Sequence, residues 1–206
     1  VSGSSDFGTQ TQLKREVATE IAAVLSFSAI NNNDKIGVLF FSDKIEKFIP
    51  PKKGKSHILR IIRELITFES ESKKTNIEVA LKYFNNVIKK RAVCFILSDF
   101  MDTNFDKSLK IARNKHDIIA LRIHDVREET LPNVGLIKVE DAESGQTRWM
   151  DSSNKQVRKN YNNHYREFEK DLKQTLQSSG VDHIDIKTGK DYIKPLMSFF
   201  KNRGKR

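Results

Sequence analysis

The 206 residues include one cysteine, one tryptophan and four prolines. A lone thiol, Cys94, rules out an intrachain disulfide and fits a reducing, cytoplasmic compartment. Its apolar neighbours mark it as a buried structural thiol. No apolar run approaches the roughly 18 residues that a membrane span needs. No charged-then-apolar leader is visible in the sequence as written. There is no Gly-x-Ser-x-Gly elbow to present a nucleophile. Gly3-Ser4-Ser5-Asp6-Phe7-Gly8 lacks the Gly-Lys-Ser/Thr ending of a phosphate loop. His116 and His124 flank a predicted strand, and neither has a second histidine at ligand spacing, so both read as structural.

Positive charge is abundant. The net charge is +10, which nucleic acid or an acidic protein surface could exploit. The basic residues are spread out, however. From Asp151 to Arg206 there are 13 Lys+Arg against 7 Asp+Glu, a local excess of 6. Dense clusters occur only at Pro51-Lys52-Lys53-Gly54-Lys55 and in the tail from Lys201 to Arg206. Neither interleaves an aromatic residue, as a base-stacking surface would. These are read as solvated faces, and nucleic acid is the disfavoured partner.

The length suits one domain, residues 1–206, with a real core. Helices are predicted over Thr9–Asn31, Ser56–Phe68, from Thr75 to Ile88, Thr103–Lys115, Ser153–Ser179 and Asp191–Lys201. In the second, Leu59, Ile62, Leu65 and Ile66 are taken as the inward stripe. Strands are predicted over Lys35–Phe41, Ile45–Ile49 (stopped by Pro50-Pro51), Ala92–Leu97, Ile118–Ile123 and Val181–Ile186. Leu136–Val139 and Thr147–Met150 flank a turn and predict an antiparallel insertion at about 135–150. Strands alternating with helices imply an α/β fold with a mainly parallel central sheet flanked by helices.

In such sheets ligands bind outside the carboxyl ends of the strands. Three polar spots are predicted there: Ser2 with Ser4 before the first helix, Thr75 at the start of the third, and Ser98-Asp99 after an apolar strand. Hydroxyl and carboxylate oxygens without thiolate or imidazole suit a hard ion such as Mg²⁺. Each also has a plainer role. Ser2 and Ser4 could form a Ser/Gly turn. Thr75-x-x-Glu78 has the spacing of a capping box, and Asp99 could cap a helix. Asp102 is read as the cap of the fourth helix.

The combination resembles the metal-ion-dependent adhesion site of von Willebrand factor A domains, which runs Asp-x-Ser-x-Ser, a distant Thr and a distant Asp. Val1-Ser2-Gly3-Ser4 matches the last four places of its first element, Lys74-Thr75-Asn76-Ile77 the second, and Leu97-Ser98-Asp99-Phe100 the third. More closely, the chain resembles the bacterial family of domain of unknown function 58. The matching stretches are Asp34-Lys35-Ile36-Gly37-Val38, Pro50-Pro51, Leu97–Asp102, Lys115-His116-Asp117 and Asp141–Gly145, and the likeness runs from residue 1 to about 165.

That resemblance implies a Rossmann-like von Willebrand A fold and a role beside MoxR-type AAA+ ATPases in protein assembly or maturation. It implies no catalytic activity. Ser2, Ser4, Thr75 and Asp99 would hold Mg²⁺, whose open position takes a carboxylate from a protein partner. The family's first motif follows an apolar central strand ending in Asp, and the chain as written has neither. The expectation is therefore a truncated sheet and a site short of one carboxylate. The alternatives are a Mg²⁺-dependent phosphoester hydrolase, for which no activating base is evident, and a nucleic-acid-binding domain.

Overall fold

The computed structural model describes residues 8–9, 12–72, 74–140 and 147–203. A short antiparallel pair, β1 (Gly8–Thr9) and β2 (Gln12–Leu13), leads into helix α1 (Lys14–Asn31). There follow β3 (Ile36–Phe41), β4 (Ile45–Lys52), α2 (Lys55–Thr67), α3 (Ile77–Val87), β5 (Val93–Ser98), α4 (Asp106–Lys115), β6 (Asp117–His124) and α5 (Val126–Glu129). The chain ends in the hairpin β7 (Leu136–Glu140) and β8 (Thr147–Asp151), then α6 (Lys155–Ser178), β9 (Asp182–Lys187) and α7 (Ile193–Arg203).

The predicted α/β class holds at this level. Strands β5, β6 and β9 form a parallel sheet with β6 in the middle, and β3–β4 and β7–β8 are antiparallel hairpins. Helices cover both faces of the parallel sheet, and the alternation along β6 decides which residues meet which layer. Ile118 and Ala120 pack with α3, α4 and α6 through Leu81, Leu109 and Leu176. Ile119, Leu121 and Ile123 pack with α1 and α7 through Val17, Ile21 and Leu196. A third cluster, Phe40, Ile49, Ile61 and Leu65, fixes α2 on the β3–β4 hairpin.

Strand β6, paired on both sides, is buried at every position from Ile118 to His124. Strand β5 has a ladder partner on one side, and Val93 is 57% exposed. Among the described residues strand β3 is paired only with β4, although Ile36-Gly37-Val38-Leu39-Phe40-Phe41 has the all-apolar character of a strand buried on both faces. Two helices bridge the two sheets. From α1, Val17 and Ile21 enter the cluster on the parallel sheet and Ala22 packs on the hairpin cluster. On the other face, Phe41 of β3 joins Ile77, Leu81 and Ile96.

Several boundaries differ from the sequence reading, each for a local reason. Helix α1 starts at Lys14 rather than Thr9, because Gly8–Thr9 and Gln12–Leu13 form the β1–β2 pair. Strand β4 does not stop at Pro50-Pro51 but runs to Lys52. A register shift between Ile36 and Val38 accommodates the prolines, and a Cβ on Gly37 would lie 2.6 Å from the Ile49 carbonyl oxygen. In α2 the buried residues are Ile58, Ile61 and Leu65, while Leu59 and Ile66 are exposed. The four-residue α5 was not anticipated, although Asp125-x-x-Glu128 caps it with a reciprocal capping box. Gly180, at φ 65°, closes α6 as expected.

Candidate functional site

The carboxyl ends of β5 and β6 open on one rim, and loop chemistry builds it. After Ser98 the chain turns sharply at Phe100, whose φ of 58° lies in the left-handed region. For a bulky residue that conformation costs about 1–3 kcal/mol. Complete burial of the ring, tilted against Phe105 at 6.1 Å between centroids, offsets it. Side chains fix the turn. Ser98 Oγ accepts from the Phe100 N–H at 3.0 Å, and Asp99 Oδ1 accepts from the Met101 N–H at 3.2 Å.

Asp102 does not cap α4, as its position suggested. It reaches across to α3, where its Oδ2 accepts from the Ile77 N–H at 2.6 Å. Helix α4 begins instead at Asp106, without a side-chain cap. The cap of α3 is Asn76, whose Oδ1 accepts from the Val79 N–H at 2.9 Å, so the Thr75-x-x-Glu78 box does not form the cap. Thr75 sits half-buried just before the helix. The Asn76 N–H donates to the Ser42 carbonyl at 2.9 Å. The Asp102–Ile77 bond therefore joins the segments of Asp99 and Thr75 on one rim. Ser2 and Ser4 lie outside the described residues.

Asp99 is only 8% exposed. Its Oδ2 accepts from Lys14 Nζ at 3.2 Å, and the same ammonium pairs with Glu128 Oε1. Lys14, the first residue of α1, is itself 3% exposed. Glu128 Oε2 accepts from the Asp125 N–H at 3.3 Å, within the capping box of α5. Burial pushes the Glu128 carboxyl above its ordinary range, and Lys14 opposes that shift. The Tyr161 hydroxyl donates to the Glu128 carbonyl at 3.1 Å. Asp125 is fully buried, held by Thr188 Oγ1 at 2.6 Å and the Arg127 N–H at 2.8 Å.

Lys14 and Glu128 were not singled out in the sequence. Lys14 occupies the first turn of a helix, where a lysine ordinarily points into solvent, and Glu128 follows a strand by four residues. Only the Asp125-x-x-Glu128 cap spacing could have drawn attention to the latter.

A second polar cluster lies on β6 and β9, on the face covered by α6. Arg122 donates to Glu169 Oε1 at 2.9 Å and to the Tyr165 hydroxyl at 2.9 Å, and lies 3.5 Å from Asp185 Oδ1. His124 is buried, with Glu129 3.4 Å away. That contact satisfies a charge distance but not hydrogen-bond geometry, and among the described residues neither ring nitrogen has a hydrogen-bond partner. Burial, with Arg122 nearby, holds the imidazole below its ordinary value. His116 is likewise buried, its ring 4.6 Å from that of Phe84, and burial lowers it too. Both histidines sit among packed side chains.

Among the described residues no three Asp, Glu, His or Cys side chains form a metal-ligand group. The rim nonetheless suits a hard cation in two respects. Its donors at Thr75 and Asp99 are oxygens. Asp99 and Glu128 together carry one more formal negative charge than Lys14 neutralises. Direct ligation through Asp99 Oδ2 would require the ammonium to move, so contact through a bridging water is the arrangement that fits Asp99 as it stands. Among the described residues no helix is long and apolar enough to cross a membrane.

Comparison with known proteins gives a consistent picture. The family model described as "Protein of unknown function DUF58" matches residues 1–171. Uncharacterized proteins of Mycobacterium tuberculosis and Mycobacterium bovis are 25% identical over 98% of this chain and 65% of their own length. The chain thus spans just under two thirds of these relatives. An uncharacterized protein of Mycobacterium avium is 23% identical over 75% of this chain and 93% of its own. The crystal structure of the conserved hypothetical protein BatB from Bacteroides thetaiotaomicron superposes with a TM-score of 0.65. It covers 100% of this chain and 96% of that one at 14% identity, a likeness of fold alone.

Proposed function

The chain belongs to the family of proteins of unknown function DUF58, and from that premise we propose that it is a metal-dependent protein-interaction module of the von Willebrand factor A type, without catalytic activity of its own. Its partner supplies a carboxylate to complete the shell of a Mg²⁺ ion. A MoxR-type AAA+ ATPase is the partner machine in the assembly or maturation of other proteins.

The observation that carries this reading is the joined rim. The Asp102–Ile77 bond brings the loops of Thr75 and Asp99 together at the carboxyl end of the parallel sheet. This is where an open α/β sheet places its ligands. In the proposed site Ser2 and Ser4 bind the ion directly, Thr75 directly or through water, and Asp99 through water. Bound there, Mg²⁺ supplies a positive charge and an exchangeable position for an acidic side chain. The protein's own residues orient the ion, and Phe100 sets the turn that presents Asp99.

The split sheet supports the finer fold reading. Strands β3 and β5 are both apolar, among the described residues each has a ladder partner on one side, and α1 and α3 pack across both sheets. In the von Willebrand A arrangement a central strand ending in Asp lies between two such strands. A version of the protein extended at its N-terminus by an apolar strand ending in Asp should be more resistant to denaturant and bind Mg²⁺ more tightly. Equal stability and equal affinity would count against the arrangement.

Isothermal titration of the intact protein with Mg²⁺ tests the site. The expected result is saturable binding that Asp99→Ala weakens at least tenfold. No binding, or binding indifferent to that substitution, would remove the metal reading.

A further inference from the structure

The cation already seated on the rim belongs to the protein itself. We infer that Lys14 is a tethered counter-cation, which holds Asp99 and Glu128 in the metal-free state and competes with a divalent ion for them. The inference rests on the metal reading above and adds its regulation.

Lysine is almost never fully buried unless paired, and Lys14 is 3% exposed at the head of α1. Both its carboxylate partners come from loops that follow parallel strands: Asp99 after β5, and Glu128 from α5, four residues beyond β6. The ammonium therefore ties three separate segments together. An ammonium is a compact point charge with no demand for planar, bidentate geometry. Another small cation attracted to the same two carboxylates would perform the same neutralisation. The two cannot sit within contact distance of Asp99 Oδ2 without strong repulsion.

Two consequences follow. An incoming divalent ion must displace the ammonium or share Asp99 with it, so Lys14 lowers the apparent affinity for the ion. When the water-bridged ion draws Asp99 away from the ammonium, Lys14 is left with Glu128, and the link between the β5–α4 loop and α1 is released. Ion binding is thereby coupled to the seating of α1 on the rim. Glu128 enters as a second acidic group of the site, one whose place follows from the fold rather than from any local motif.

The experiment measures Mg²⁺ binding by isothermal titration, and thermal unfolding with and without Mg²⁺, on the intact protein and on Lys14→Met, Lys14→Arg and Glu128→Gln. The expected result for Lys14→Met is Mg²⁺ affinity raised tenfold or more. Its unfolding midpoint is lowered in the absence of Mg²⁺ and rises on Mg²⁺ addition by more than in the unsubstituted protein. Lys14→Arg keeps a cation on the rim and shows no such gain. Glu128→Gln removes one of the two charges and weakens Mg²⁺ binding.

If the unsubstituted protein binds Mg²⁺ through Asp99 but Lys14→Met binds it no more tightly, the competition is wrong while the metal reading stands. If neither binds Mg²⁺, the metal reading itself falls, and the competition with it. Should Lys14→Met fail to fold, Lys14→Gln takes its place, and Glu128→Gln independently decides whether that carboxylate belongs to the site.

Discussion

Two cations are buried at the carboxyl end of the parallel sheet, and they are held in opposite ways. The Arg122 side chain is 2% exposed and lies over the rings of Tyr165 and Phe168, 5.8 and 5.4 Å from their centroids. Its carboxylate partners, Glu169 and Asp185, remain about a third open to solvent. The Lys14 side chain is 4% exposed, and among the described residues no ring lies over it. Of its partners, Asp99 is 6% exposed and Glu128 20%. The guanidinium uses its fork and its contact with two neighbouring rings, so only a cation of that shape serves there. The ammonium contributes charge at a point, and a point charge can be replaced. Arg122 is therefore a structural pin, and Lys14 is the exchangeable one.

The sharpest way to break this contrast is Arg122→Leu. It leaves the Tyr165 hydroxyl unpaired in a buried place and Glu169 without its cation. A loss of about 3 kcal/mol is expected from urea unfolding, the low end for breaking a buried pair, because both carboxylates can rehydrate. Arg122→Lys should recover little of it, since a lysine cannot reach both Glu169 and Tyr165 with the same geometry. If Arg122→Lys were as stable as the unsubstituted protein, Arg122 would be as exchangeable as Lys14 and the distinction would fail.

Next in size is Asp102→Ala, on the Lys14 side of the comparison. It removes the 2.6 Å bond to the Ile77 N–H that joins the two rim loops. About 1.5 kcal/mol is expected, as for a hydrogen bond to a charged group. The same substitution should weaken Mg²⁺ binding, whereas Arg122 substitutions should change stability and leave the rim's ion affinity nearly untouched.

The core of this contrast was hard to read from the sequence. The βα alternation, the abrupt polar ends of apolar strands and the Gly180 stop were legible, because they depend on period and turn chemistry within a few residues. The failures share a cause. In α2, Ile58, Leu59, Ile61, Ile62, Leu65 and Ile66 offer two adjacent apolar stripes, and only the position of the β3–β4 hairpin selects Ile58, Ile61 and Leu65. Asp102 has the local spacing of a cap for α4, yet a nearer donor on α3 claims it. Asp99 was legible as a rim carboxylate, because it follows a buried strand directly. Its ion partners lie 85 residues upstream in Lys14 and, through that ammonium, in Glu128, and no local pattern encodes a contact at that separation.

A smaller effect separates the partners of Arg122 from one another. Glu169, at 2.9 Å, should cost about 1 kcal/mol as Glu169→Gln, and Asp185, at 3.5 Å, about 0.5 kcal/mol as Asp185→Asn. Urea unfolding of the two single variants and the double variant checks this. A double loss well above the sum would mean that each carboxylate covers for the other, and that Arg122 too tolerates exchange of partners.

The smallest effect is the pH dependence of the Arg122 neighbourhood near neutrality. Burial and Arg122 hold His124 below its ordinary value near 6.5, and burial does the same for His116. For a group depressed on folding, the unfolded chain binds the proton first, so stability rises with pH through that window. The contribution is complete above about pH 6.5 and is lost as pH falls from there through the folded values. Urea midpoints measured between pH 7.5 and 5.5 should therefore fall with pH, and His124→Gln should show a shallower fall. Removing Arg122 should also flatten it, because one cause of the His124 depression disappears. Lys14→Met should flatten the slope by another route, because burial already pushes the Glu128 carboxyl up and Lys14 opposes that shift, and without the ammonium stability falls as pH rises through the raised value. In a His124→Gln background the effect of Arg122→Leu on the slope should vanish and that of Lys14→Met should persist; if Lys14→Met also loses its effect there, the two cations share one electrostatic environment, and the rim and the pin cannot be treated as separate devices.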